Sequence, residues 1–253
     1  MLLAVDIGNT NVVIGAFDGT TATARWRLKT DPARTVDEHI VILSSLCAMR
    51  GISLNTFSDV IIGSVVPPLT ATFQTLVERY LSARPFVVGP GIKTGIKLLV
   101  DNPREVGADR IANTVAAHQR YGGPAIVIDM GTATTFDAVS DEGNFLGGAI
   151  APGLEISMDA LFDRAARLYR VDLARPRTAI GKNTMSNVQS GGVFGYAGLI
   201  EGLVRRFKVE HGPCKVIGTG GLISLIAHET DAIDIVDEDL TLDGLRMLWE
   251  LNR

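Results

Sequence analysis

Two acidic loops stand out for what their side chains can hold. Asp6-Ile7-Gly8-Asn9-Thr10-Asn11 follows the apolar run Leu2-Leu3-Ala4-Val5. Asp129-Met130-Gly131-Thr132-Ala133-Thr134-Thr135 follows Ala125-Ile126-Val127-Ile128, about half a chain length later. In each, a buried strand ends in an aspartate, a glycine lets backbone N–H groups approach an oxyanion, and Asn or Thr adds donors. Asp6 would meet the Mg²⁺ that ATP carries, directly or through water, while Gly8, Asn9, Thr10 and Asn11 present donors to the β- and γ-phosphates. Thr132 is the corresponding phosphate donor of the second loop, and Asp129 suits a cation, since hard cations prefer oxygen ligands. One such loop alone is as well explained by a tight turn. Two in matched context favour a nucleotide-phosphate site built from two similar halves.

Between the loops lies Asp101-Asn102-Pro103-Arg104-Glu105-Val106-Gly107-Ala108-Asp109-Arg110. Asp109 and Arg110 sit at the mouth of an apolar helix marked by Ile111 and Val115. Helix physics alone would accept an N-capping aspartate beside a solvated arginine. Next to phosphate loops the pair has another use. Phosphoryl transfer to an alcohol needs a carboxylate to take the hydroxyl proton and a cation to hold an anionic substrate. Asp109 fits the first task. Arg110 fits the second, because a guanidinium grips a carboxylate bidentately and lysine does not. Thr219-Gly220-Gly221, between a strand and a helix, would let an adenine or ribose come close to the backbone. Gly147 to Gly153, Gly181 to Thr184 and Ser190 to Gly192 are further small-residue loops. Arg164, Arg167, Arg170, Arg175 and Arg177 form a basic run that reads as a solvated face or a subunit contact.

The elements that must position these groups alternate in a readable order. Residues 2–6, 11–17 and 22–29 read as strands, with turn signals at residues 9–11 and 18–19. Thr35 and Glu38 have capping-box spacing and open a helix to about Met49. A buried strand at 60–66 stops at Pro67-Pro68, a helix runs from about 69 to 81, and a short strand follows at 86–88. The second half repeats the plan, with strands at 125–129, 133–139 and 145–151, helices at about 153–168 and 188–210, strands at 215–218 and 233–236, and a closing helix at 241–251. Continuous apolar strands alternating with helices indicate sheets covered on both faces. The twice-read order resembles the α/β ribonuclease-H-like fold in its duplicated form, that of actin-like ATPases and of the acetate and sugar kinase superfamily, with an ATP cleft between two lobes. The expected lobes are 1–110, carrying the first phosphate loop and the substrate loop, and 111–253, carrying the second phosphate loop and dimer contacts.

The bulk numbers bound the reading. The chain has 253 residues, 46% hydrophobic and 21% charged, enough for a sizeable core and against wholesale disorder. A net charge of −4 and a pI near 5.6 argue against nucleic acid and anionic membranes as partners. Cys47 and Cys214 make no disulfide framework or zinc spacing, and the four histidines are scattered. The start of the chain runs straight into Asp6 with no leader-like or spanning segment, so a cytoplasmic protein is expected.

With Asp6-Ile7-Gly8-Asn9-Thr10, Asp101-Asn102-Pro103, Gly107-Ala108-Asp109-Arg110, the Asp129–Thr135 loop, the 147–153 segment, Gly181-Lys182-Asn183-Thr184 and Thr219-Gly220-Gly221 in this order, the chain resembles the type III pantothenate kinases from end to end. The resemblance implies ATP-dependent phosphorylation of pantothenate to 4′-phosphopantothenate, the first step toward coenzyme A. It also implies an obligate homodimer, and K⁺ or NH₄⁺ besides the Mg²⁺ of ATP. By carry-over, Asp109 is the general base and Arg110 the carboxylate clamp, with Gly107, Ala108, Asp109 and Arg110 forming the substrate loop. Asp6, Ile7, Gly8, Asn9, Thr10, Asn11, Val12, Val13 and Thr132 contact ATP. Asp129 holds the monovalent cation. Thr184 reaches substrate across the dimer interface. Val100 occupies a substrate-pocket place where many members carry tyrosine. Two other readings stay open: a kinase of another small hydroxy acid or sugar, and a nucleotide-binding regulatory or accessory protein without turnover.

Overall fold

A computed structural model describes residues 1–81 and 83–253. Contacts divide them into two compact units. The first comprises Met1–Ile96, Asp101–Ala116 and Leu240–Arg253, and the second Lys97–Val100 and Ala117–Asp239.

The first unit is built on β1 (Leu2–Ile7), β2 (Asn11–Asp18), β3 (Thr21–Lys29), α1 (Val36–Ala48), β4 (Asp59–Ser64), α2 (Pro67–Leu76) and β5 (Pro85–Val87). The strands form one sheet in the order β3-β2-β1-β4-β5. β1 and β2 pair antiparallel, as do β2 and β3, while β4 pairs parallel to β1 and β5 parallel to β4. Helix α1 begins at the expected capping box: Thr35 accepts from the Glu38 backbone, and Glu38 reaches back to the Thr35 N–H. Pro67 and Pro68 open α2, where their missing N–H groups cost nothing. Helix α3 (Ala108–Tyr121) starts in this unit, and the boundary falls at Ala116.

The second unit repeats the design with β6 (Ala125–Met130), β7 (Ala133–Val139), β8 (Phe145–Pro152), α4 (Leu154–Arg164), α5 (Thr184–His211), β9 (Lys215–Thr219), α6 (Ile223–Ala227) and β10 (Ile235–Val236). Its sheet runs β10-β9-β6-β7-β8, the same topology read from the other edge. β6 takes the place of β1, and Asp6 and Asp129 are each the fifth residue of their strand. This is the duplicated ribonuclease-H-like plan expected from the element order. Buried Ile126, Ile128, Met130 and Phe136 meet Val193, Ile200 and Val204 of α5 and Ile223 and Ile226 of α6 in its core.

The units differ from a single cut at residue 110. Helix α7 (Leu240–Glu250), the last element, packs on β1, β2 and β4 of the first sheet. Leu242 and Leu245 fill the space that a side chain at Gly15 or Gly63 would need, approaching the Cβ positions to 3.1 and 2.8 Å. Conversely, residues 97–100 join the second unit because Leu99 donates its N–H to the Phe145 carbonyl at 2.8 Å and Phe145 donates to Lys97 at 2.9 Å. Helix α4 ends at Arg164 rather than near 168, α5 begins at Thr184 rather than near 188, and the last strand keeps only two residues. Ser190, Gly191 and Gly192 therefore lie inside a helix, where bare Gly192 lets Leu173 and Met158 pack at 3.3 and 3.5 Å from its Cβ position. The arginine run is partly tied down: Arg170 pairs with Asp159 and Asp163 of α4, and Arg175 pairs with Glu229.

Candidate active site

In the first unit, Asp6 lies near the carboxyl end of β1, opposite Val13 on β2 and Gly63 on β4. The loop after it is tightly organised. Gly8 donates its N–H to the Asn11 carbonyl at 2.9 Å. Thr30, just past β3, donates its hydroxyl to the Gly8 carbonyl at 2.7 Å and its N–H to the Thr10 carbonyl at 2.9 Å. A trans peptide carries its N–H opposite its C=O. Fixing those two carbonyls therefore turns the N–H groups of Asn9 and Asn11 away from Thr30. Asn9 and Thr10 are exposed, whereas Ile7 and Val12 are fully buried, so the latter two offer a ligand only backbone.

The second acidic element of this unit is the start of α3. The Gly107 carbonyl accepts the first helical N–H, from Ile111 at 3.1 Å, so Gly107 takes the capping place and Asp109 stands in the first turn. Asp109 Oδ1 accepts from the Arg110 N–H at 2.8 Å. A Cβ on residue 107 would lie 2.4 Å from that same oxygen, so a side chain there would displace the Asp109 carboxylate. The Ala108 Cβ comes within 3.7 Å of the Cβ position of Gly63, the sheet partner of Asp6. The helix start is thus seated at the carboxyl end of β4, one strand over from Asp6. Ligands of open α/β sheets are bound at such strand ends. Ahead of the helix, the Asn102 side chain accepts from the Arg104 N–H and donates to Glu105 at 2.6 Å, making the Asp-Asn-Pro element a fixed turn.

The second unit builds its loop in the same way. Gly131 donates to the Ala133 carbonyl at 3.0 Å, as Gly8 does to Asn11. Gly153 donates to the Thr132 carbonyl at 3.0 Å, and its Cβ position lies 2.2 Å from that oxygen. Gly220, at φ +94°, places its Cβ position 2.6 Å from Asp129 Oδ1 and from the Met130 nitrogen. The Thr-Gly-Gly turn therefore abuts the second loop, and glycine is needed there both for its left-handed backbone and for contact. Asp129 is paired in register with Thr135 on β7 and Thr219 on β9.

Two further expected residues lie elsewhere in this unit. Thr184 is the first residue of α5, behind an Asn183 cap that accepts from the Ser186 N–H at 2.8 Å. It lines a cavity of about 350 Å³ with Met158, Leu161, Leu168, Asn187 and Val188. Val100 packs 3.7 Å from the Cβ position of Gly147 on β8. The sequence expectations thus fall into three groups: residues 6–13 with 107–110, Asp129 and Thr132 with the 219–221 turn, and Thr184 at its cavity. Thr30 was not anticipated; a polar residue closing a strand is its only local signal.

A duplicated sheet with an aspartate-glycine loop at the corresponding strand end of each copy is the fold plan of actin-like ATPases and small-molecule kinases. Solved structures share the fold. The chain superposes on a Campylobacter jejuni protein assigned to the Baf family of transcriptional activators with a TM-score of 0.62, at 20% identity and covering 98% of this chain and 97% of that one. It superposes on the activator of 2-hydroxyisocaproyl-CoA dehydratase from Clostridium difficile, solved with ADPNP, with a TM-score of 0.53, at 11% identity and covering 99% and 95%. The sequence places it more closely. The family profile of the type III pantothenate kinases matches residues 2–206. The type III pantothenate kinase of Geobacter sulfurreducens is 52% identical over the whole of both chains, and that of Myxococcus xanthus 50% identical over all of this chain and 99% of its own. The chain belongs to the type III pantothenate kinase family.

Proposed function

We infer that this protein transfers the γ-phosphoryl group of ATP to the primary hydroxyl of pantothenate, forming 4′-phosphopantothenate on the way to coenzyme A. The observation that carries the assignment of roles is the seating of Gly107, Ala108, Asp109 and Arg110 at the β4 strand end, beside the strand that bears Asp6. Arg110 pairs with the pantothenate carboxylate and aims the hydroxyl. Asp109 takes the hydroxyl proton. Residues 6–13 and Thr132 hold the phosphates, with donors fixed in place before substrate arrives, so that positioning and charge stabilisation supply most of the rate. Val100 and Thr184 take the remaining substrate contacts of this reading.

A kinase of this family uses ATP with a divalent metal. The residues fit Mg²⁺ that arrives with the nucleotide: one carboxylate, Asp6, stands beside a phosphate loop, and Mg²⁺ is usually bound by one or two carboxylates plus phosphate oxygens. Bound there, Mg²⁺ would supply positive charge to offset that of the phosphates. Asp129 serves a monovalent cation, K⁺ or NH₄⁺, which adds positive charge at the second loop. The buried hydroxyl of Thr135 beside it fits such an ion.

The homodimer is supported by apolar surface on the second unit, where Ile150, Tyr169 and Ile180 are 66%, 59% and 83% exposed; light scattering of the purified protein tests it. No described helix is long and apolar enough to cross a membrane, and a cytoplasmic setting, where ATP is abundant, suits the reading. ADP production should require Mg-ATP and pantothenate together, and should be faster in K⁺ or NH₄⁺ than in Na⁺. ATP binding without ADP production would favour a regulatory protein, and turnover with a different hydroxy acid or sugar would reassign the substrate.

A further inference from the structure

We propose that the Thr135 hydroxyl is a ligand of the monovalent cation held by Asp129. The inference rests on the reading of Asp129 as a cation residue and extends it to a residue with no role so far. The sheet provides the first argument. Asp129 on β6 is directly opposite Thr135 on β7 and in parallel register with Thr219 on β9. Directly paired residues on neighbouring strands project from the same face of a sheet. Three oxygen-bearing side chains thus stand in one row across three adjacent strands.

Thr135 Oγ1 is buried, and among the described residues it has no hydrogen-bond partner. A hydroxyl removed from water without a partner destabilises the fold. A cation in contact with Asp129 would use its lone pairs, and a neutral oxygen is the donor type K⁺-sized ions accept. Gly220, whose missing side chain is required by its contact with Asp129 Oδ1, keeps backbone close to the same carboxylate.

The neighbouring residue is a built-in control. Thr134 Oγ1 is also buried and unpartnered among the described residues. It pairs with Met130 rather than Asp129, and Met130 and Phe136 are core residues. Strand alternation therefore turns Thr134 to the opposite face, away from the carboxylate. Both hydroxyls are orphaned; only Thr135 shares a face with Asp129.

The test is thermal melting of the full-length protein, without substrates, in KCl titrated against choline chloride at constant ionic strength. Wild type should gain Tm with K⁺. Thr135→Val, nearly isosteric, should melt higher than wild type in choline, because the orphan hydroxyl is gone, and should need about tenfold more K⁺ or better for the same gain. Thr134→Val should also melt higher in choline, yet keep the wild-type K⁺ midpoint. Thr135→Ser, which retains the hydroxyl, should keep it too and covers the case in which the valine variant does not fold. A wild-type K⁺ midpoint in Thr135→Val, or a lost response in Thr135→Ser, overturns the assignment of Thr135 alone. Absence of any K⁺ gain in wild type overturns the Asp129 reading with it.

Discussion

The hydroxyl of Thr30 lies 2.7 Å from the carbonyl of Gly8 and donates to it across 22 residues of chain. With the backbone bond from Thr30 to Thr10, it fixes two peptide planes of the first phosphate loop. Thr30→Val keeps the backbone bond and removes only the hydroxyl. Loss of one such bond is worth about 1 kcal/mol. KM for ATP should rise roughly fivefold to tenfold while KM for pantothenate stays at the wild-type value, and Thr30→Ser should restore it. A fall in Tm with both KM values unchanged would make Thr30 a fold residue only.

Gly107 and Asp109 constrain one another. Asp109→Asn removes the proton acceptor and keeps the shape, so kcat should drop by about 10²–10⁴ with nucleotide affinity retained. Gly107→Ala puts a methyl group 2.4 Å from the present position of Asp109 Oδ1. The carboxylate must move, and kcat should fall by at least about tenfold without any change of catalytic side chain. Wild-type turnover in Asp109→Asn, measured by coupled ADP release, would remove Asp109 from the proton-accepting role.

His39 makes the first unit sensitive to acid. It is buried on α1 with its ring 4.8 Å from Phe73, and among the described residues neither ring nitrogen has a hydrogen-bond partner. Burial holds its pKa below the ordinary histidine value, Arg34 adds to that effect, and Asp31 and Glu38 oppose it. The unfolded chain therefore takes up a proton at a higher pH than the folded one. Stability is present above the unfolded pKa, near 6.5, and is lost as pH falls below it. Between pH 7 and pH 5 the Tm of His39→Leu should fall less than that of wild type, and parallel curves would exclude this site as the cause.

Gly244 sits where α7 crosses α3, and its Cβ position is 2.0 Å from the Ala112 carbonyl oxygen. Gly244→Ala cannot be absorbed by a side-chain rotation, because the obstacle is backbone. It should cost about 1–3 kcal/mol, as overpacked cores do, read as a lower midpoint in urea. An unchanged midpoint would mean that the two helices slide freely.

What could be read from the chain alone was local. The apolar runs ending in Asp6 and Asp129, the Thr35–Glu38 capping box and the Pro67–Pro68 stop each carry their signal within a few residues, and each produced the expected element. Helix α5 begins four residues before its expected start because its Asn183–Ser186 box uses serine where the usual signature has Glu or Gln. Thr30 was invisible because its partners come to it only through the pairing of β2 with β3. The 97–100 segment reads as linker until its exchange of hydrogen bonds with Phe145 is seen. In the site, motif spacing pointed to Asp6, Asp109 and Asp129, but the order in which Thr135 and Thr219 flank Asp129 is a property of sheet register.

Helix α7 sets the order in which the chain can become stable. The sheet that begins at Leu2 is covered, at Gly15 and Gly63, by leucines 242 and 245. A nascent chain that has already emerged through β5 carries all five strands of its first sheet, yet leaves part of one face bare until α7 is made. The second unit, contiguous from Ala117 to Asp239 apart from a four-residue strip that precedes it, has no such wait. Synthesis therefore delivers the second unit whole while the first, begun earlier, is still open, and a chain lacking residues 240–250 would lose this cover of the sheet that begins at Leu2.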